Sequence, residues 1–362
     1  MANTLLPTTM VGSYPRPHWF TYQLEGRDIL EAFKVIHHAE AYEDALRTVL
    51  RDQELAGLDI LADGQMWFDD YSMGIGSFLW YWLERTRGFS KEKLPHPARA
   101  KARGNDVWAL DEAGGVAVDG PIERGPIRMA MLYRMAQSLT DRPIKACVGA
   151  GPVQLSTLAH FRAGPVKNRY QLSEALADVF NAEIRELMEA GCQHIQLEDL
   201  GAWMPFLSGE KDYGWVRDIV NRTLAGTAGV ATSWHFCKGN AWGNQLHGMT
   251  AGGYGEVLPH YADVDVEQYV LDFACREMED AVLLADIPAD KSVAVGVIDV
   301  RSLEIEPPEI VAQRIRKVLE HIAPERVTLT TDCGMKQLPR PCARQKLCAL
   351  VAGAAIVRAE LV

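Results

Sequence analysis

No run in the 362 residues is apolar for the length a bilayer requires, and the opening MANTLLPTTM has neither the charged start nor the apolar centre of a secretory signal. Basic residues are in deficit. Against 48 Asp and Glu there are 37 Lys and Arg, and the formal charge of −11 disfavours nucleic acid or an anionic membrane as a partner. Cysteine is sparse and odd in number, seven in the whole chain, which argues against a disulfide scaffold and makes the cytoplasm the expected location. Low-complexity linkers and repeats of fixed period are missing. So is a dinucleotide fingerprint: the first apolar run ends in Val11-Gly-Ser-Tyr-Pro15 and continues Arg-Pro, not GxGxxG.

What is present is core-forming material, 48% hydrophobic with 23% charged residues. Eight short apolar or β-branched runs end in polar residues or glycine: Thr9 to Ser13, Asp59 to Asp63, Ile144 to Val148, His194 to Glu198, Val230 to Cys237, Tyr269 to Asp272, Ser292 to Asp299 and Val327 to Thr331. Helical periodicity occupies Ala39 to Ala56, Leu172 to Ala190, Val264 to Leu284 around its short strand, and Pro308 to His321. This alternation predicts an α/β fold, a single-domain (β/α)8 TIM barrel over residues 1–362. The interval 66–142 is too long for a simple crossover and reads as an insertion after the second strand, lying over the barrel mouth. It holds an aromatic-rich helix between Trp67 and Trp82 and a β-hairpin turning at Gly114-Gly115.

Catalytic groups of such barrels sit at the carboxyl ends of the strands. There the sequence places Ser13, Asp63, Gln65, Glu198, Asp199, His235, Cys237, Asp272, Asp299, Arg301 and Cys333. In Ala231-Thr-Ser-Trp-His235-Phe-Cys237 the period of two puts the imidazole and the thiol on one face, and Arg326 to Gly334 ends similarly in Cys333. Two thiolates and an imidazole are three of the four ligands of a tetrahedral Zn2+; the fourth is Asp272, Cys275 or the substrate. Cys147 and Cys192 read as core, and Cys342 and Cys348 fall on the last helix. Zinc with so electron-rich a ligand set suits capture of an incoming thiol as thiolate more than activation of water, so the implied chemistry is alkyl transfer to sulfur. Arg301 offers a bidentate fork for a carboxylate or sulfonate, and Trp203 is among the aromatics placed to meet a substrate.

Pro7-Thr-Thr-Met-Val-Gly-Ser-Tyr-Pro-Arg-Pro, His235-Phe-Cys237 and Asp332-Cys333-Gly-Met-Lys336, in this order, resemble the catalytic domain of cobalamin-independent methionine synthase in a short form without the amino-terminal barrel. The resemblance implies a zinc-dependent methyltransferase with His235, Cys237, Asp272 and Cys333 as ligands and Ser13 on the polar head of a small-molecule thiol acceptor. Three departures imply an altered acceptor and alkyl donor: Asp63-Gly64-Gln65 stands for the family's His-Gly-Glu, Leu158 for its folate-associated tryptophan, and Arg301 for its histidine after the seventh strand. The resemblance then leaves Glu198 and Asp199 to take an ammonium. Two alternatives remain on the same barrel. One is an epoxide-opening thiol transferase or lyase in which Arg301 holds a sulfonated thiol; the other is a metal-free decarboxylase like uroporphyrinogen decarboxylase.

Overall fold

The computed structural model describes residues 4–20, 34–68, 76–101, 110–111, 113–162, 164–239 and 253–362. In chain order the strands are β1 Leu61–Ala62, β2 Thr86–Phe89, β3 Val116–Arg124, β4 Ile144–Gly149, β5 Ala159–Phe161, β6 His194–Glu198, β7 Ala231–His235, β8 Gln268–Asp272, β9 Ser292–Ile298 and β10 Val327–Thr331. Seven form one parallel sheet in the order β1-β4-β6-β7-β8-β9-β10. Strands β4, β6 and β9 are buried almost end to end, as expected of a parallel sheet covered on both faces. Beyond the two end strands, residues 7–9 hydrogen-bond in both directions. Thr9 N donates to Leu329 O (2.9 Å), Leu329 N to Pro7 O (2.8 Å), and the amides of Asp59 and Ile60 to Thr8 O (both 3.1 Å).

Three of the four expected helical stretches form where the sequence periodicity places them. Helix Arg169–Glu189 begins at Asn168, whose side chain accepts from Gln171 N at 3.0 Å, and buries Leu172, Leu176, Phe180, Ile184 and Leu187 on one stripe. Helices Ile36–Ala56, Pro308–Leu319 and Arg340–Glu360 cover the sheet near its ends, the last packing against both of the others. Among the described residues no helix is long and apolar enough to cross a membrane.

Three expectations are corrected. The first strand, expected at Thr9 to Ser13, reduces to a single bridge at Thr8, because Gly12 turns the backbone to φ +39° on the way to Pro15. Around β8 the expected helical stretch is a series of 3-10 turns, Ala274–Arg276 and Glu279–Asp286, since Glu277 and Met278 both take positive φ and stop propagation. No hairpin turns at Gly114-Gly115: Leu110, Asp111 and Ala113 are helical, while β3 pairs antiparallel with β2 and parallel with β5. Residues 102–109, which include the start of that expected hairpin, lie outside the described residues. Helix Gly76–Arg85 carries the aromatic cluster, and Trp82 stacks on Phe180 at 3.9 Å between ring centres.

Candidate functional site

Strands β6 and β7 are in register with Glu198 opposite His235, so an acidic side chain and an imidazole share one rim. Curvature of the sheet brings the end of β10 to the same place. Ligand atoms of His235, Cys237 and Cys333 all lie within 4.8 Å of one another, and the two sulfurs are 3.6 Å apart. Cys237 Sγ accepts from Gly239 N (3.3 Å), and Thr331 Oγ1 donates to Cys333 O (2.9 Å) while accepting from Val11 N (3.1 Å). His235 is buried, and neither ring nitrogen makes a hydrogen bond of good geometry, although the Asp332 backbone bears on the ring and opposes part of its shift. Burial, reinforced by the charge of Lys145, pushes its imidazole down to about 3, so the ring is neutral with a lone pair to give. Hydrogen bonding to Cys237 and then burial hold the Cys333 thiol well above its ordinary range; a cation between the sulfurs would reverse that preference.

The donor set fits zinc. With Zn–S bonds of about 2.3 Å, two thiolates on one tetrahedral ion sit about 3.8 Å apart, close to the separation here. A poorly satisfied imidazole beside two thiols is costly as a dry core feature and ordinary as a ligand set. Among the described residues this group of three excludes Asp272 and Cys275. Asp272 ends β8, fully buried, and its carboxylate is met by the Tyr254 hydroxyl. The Cys275 thiol, pushed up by burial, lies 3.8 Å from Asp272 O. Asp332 accepts from the amides of Ala274 (3.0 Å) and Cys275 (2.6 Å) and so ties the turn after β8 to the end of β10.

Beside the sulfurs lies a pocket that opens to solvent. Phe68, Phe78 and Leu200 form an apolar wall, Glu198 and Asp199 an acidic one, and Ser13 and Lys336 also line it. Gly149 lets the Phe78 ring approach: a Cβ there would lie inside that ring and 3.2 Å from Glu198 Oε2. The turn at 65–68 is held by Arg16, which donates to Gln65 O (2.8 Å) and Phe68 O (2.7 Å) with its guanidinium 4.2 Å from the Phe68 ring centre. Gln65 itself sits at φ +51°, a strained conformation fixed by its amide donating to Asp63 Oδ1 (2.8 Å). Its side chain donates to Glu198 Oε2 at 3.1 Å.

The structure therefore gathers Ser13, Gln65, Glu198, Asp199, His235, Cys237 and Cys333 around one space. Asp63, Trp203, Asp272 and Arg301 do not line it. Asp63 is buried behind Gln65, where burial raises it to about 6. Trp203 is a core ring, 5.6 Å from Tyr254, with its Nε1 donating to Phe236 O at 3.4 Å. Arg301 turns back onto the Cys275 carbonyl and Asp299, so its fork is engaged inside the protein. Lys145 and Gln196, buried beneath the acidic wall, escaped the sequence reading. Polar residues at inward positions of strands that should be wholly apolar were the available signal.

Burial raises Glu198 to about 7 and Asp199 to about 7; amide donation from Gly201 (2.6 Å) and Gln154 (3.3 Å) offsets only part of the second shift. A carboxyl whose folded pKa exceeds its unfolded value binds more protons when folded, so stability is lost as pH rises from about 4 through about 7. Relative to wild type, Asp199→Asn should therefore gain about 2 kcal/mol more stability at about pH 8 than at about pH 5, as read by denaturant melts of metal-free protein. A pH-independent difference would show that Asp199 ionises normally.

Residues 99–355 match the family described as cobalamin-independent synthase, catalytic domain. The chain is 30% identical over 360 residues to a methionine synthase of Saccharolobus solfataricus, covering 99% of this chain and 96% of that one. Against the methionine synthase of Sulfolobus acidocaldarius the identity is 31%, covering 99% and 94%. A B12-independent methionine synthase from Shewanella sp. W3-18-1, solved with selenomethionine, superposes with a TM-score of 0.79 at 27% identity over 99% of both chains.

Proposed function

Since the chain belongs to the cobalamin-independent synthase catalytic-domain family, we propose that it methylates the sulfur of a small thiol acceptor at a zinc site made by His235, Cys237 and Cys333. The observation that carries this reading is the pair of sulfurs 3.6 Å apart beside an imidazole whose nitrogens make no hydrogen bond of good geometry. Zinc held there supplies the positive charge that keeps a captured thiol ionised near neutral pH. Everything else falls to the chain. Glu198 and Asp199 take the ammonium of an amino-acid thiol such as homocysteine, Ser13 meets its carboxylate end, and the Phe68 and Phe78 rings offer a flat apolar face to the donor. Asp272 is the one carboxylate that β8 carries, and it is met by Tyr254 and stands outside the group of three, so a fourth position is open to it or to the substrate sulfur.

In this reading residues 7–9 close the sheet into a (β/α)8 barrel, and the stretch 66–142 is an insertion that brings Phe68 and Phe78 over its mouth. An altered donor or acceptor is supported by Gln65, whose amide is occupied by Glu198, and by Leu158, which is buried away from the pocket. The cytoplasm is the proposed location. Protein purified without added metal should contain close to one zinc per chain and should methylate homocysteine or a related thiol when supplied with a panel of methyl donors. Metal-free protein, or turnover of an epoxide without any methyl donor, would overturn the reading.

A further inference from the structure

Beneath the acidic wall runs a line of buried polar side chains that methyl transfer does not itself use. On β4 the period of two sets Lys145, Cys147 and Gly149 on one face; on β6 it does the same for Gln196 and Glu198. Lys145 Nζ donates to Gln196 Oε1 (2.6 Å) and to Met10 O (2.9 Å). Gln196 Nε2 donates to Glu198 Oε1 (2.9 Å), and Gln65 Nε2 donates to Glu198 Oε2 (3.1 Å). Lys145, Gln196, Gln65 and Glu198 are all buried.

A lysine is an expensive way to fill this space, because neither acceptor it touches carries a charge, and an aliphatic chain would avoid the desolvation cost. Burial pushes the Lys145 amine below its ordinary range, and the charges of Cys147 and Glu198 oppose that shift; in either state its N–H decides the orientation of an amide. With Gln196 Oε1 taken by this donor, its NH2 group must face Glu198; rotated by half a turn, Gln196 would set its carbonyl oxygen against the carboxylate. We propose that Lys145 is a positioning residue which, through Gln196, holds Glu198 as an acceptor-only carboxylate aimed into the pocket, and thereby sets selectivity for a thiol that carries an ammonium. The same lysine ties down the carbonyl of Met10, three residues before Ser13. This rests on the reading of Glu198 as the anchor of the acceptor.

The test uses zinc-loaded enzyme, with calorimetry of L-homocysteine and of its deamino analogue 4-mercaptobutyrate. Lys145→Met should weaken homocysteine about tenfold, leave 4-mercaptobutyrate within about twofold, retain zinc, and add nothing when Glu198→Gln is already present. Equal weakening of both thiols, or a penalty that adds fully to that of Glu198→Gln, would mark Lys145 as packing only and overturn the inference. Should Lys145→Met not fold, Gln196→Met interrupts the same line and carries the same expectations. A substrate-free readout separates the two readings: the Gln196 side-chain NH2 should be slow to exchange in wild type and fast in Lys145→Met. If that protection is unchanged, the positioning role fails whatever thiol the enzyme uses. If protection collapses but neither thiol binds wild type, the positioning role stands and the choice of acceptor falls.

Discussion

Serine at either Cys237 or Cys333 should leave a folded protein with little zinc and no measurable methyl transfer. The two sulfurs lie at the rim, partly buried and beyond the last residues of β7 and β10; Cys333 packs against the edge of the core that Trp234, Leu329 and their neighbours build, and a serine there keeps nearly the same volume. A serine hydroxyl stays protonated near neutral pH and gives zinc a weak, hard donor where a soft anionic one is needed. The expected result is loss of metal by a factor of 100 or more in affinity, about 3 kcal/mol, with an unchanged far-ultraviolet circular dichroism spectrum. Competition with a chelator measures the first and the spectrum the second. Full zinc occupancy in either variant would remove that cysteine from the ligand set.

Glu198→Gln should fall nearly as hard on catalysis while sparing the metal. The substitution keeps the shape, deletes the anion, and forces an NH2 group toward one of two donors, Gln65 Nε2 or Gln196 Nε2, that now have only one acceptor between them. For a cationic thiol the expected drop in kcat/KM is about 100-fold, the cost of removing one partner of a buried charge pair. The pH profile gives an independent check. Burial lifts both Glu198 and Asp199 to about 7, so kcat/KM for an ammonium-bearing thiol should climb as pH passes through about 7 in wild type, and the rise should be shallower in Glu198→Gln, where only Asp199 remains to ionise. An unchanged profile would assign the rise to another group.

Much of this arrangement was readable before any fold was in hand, because strand ends announce themselves. His235 and Cys237 stand two apart at the end of an apolar run, and Cys333 closes another; a local pattern and a general rule about parallel barrels brought them together across the chain. The strands between them were legible for the same reason. What escaped depended on distant partners. Nothing near Asp272 in sequence tells that Tyr254 meets its carboxylate, and nothing near Arg301 tells that its guanidinium turns to the Cys275 carbonyl. Tertiary contacts, not the residues themselves, withdrew Arg301 and Trp203 from the pocket. Lys145 carries no functional mark in sequence, because a lysine in a strand ordinarily lies on an exposed face. The 3-10 turns after β8 resisted prediction because positive φ at Glu277 and Met278 carries no compositional mark such as glycine.

The spacing of Cys237 and Cys333 has a bearing on the lifetime of the protein. They are 96 positions apart, with β8, β9 and β10 strung between them, so an ion gripping both fastens a large span of polypeptide into one loop. If the proposed zinc is held there, durability is coupled to supply: chain without the ion would open more readily across the β8–β10 part of the sheet and meet proteases sooner. Metal starvation would thus thin the population of enzyme as well as silence it.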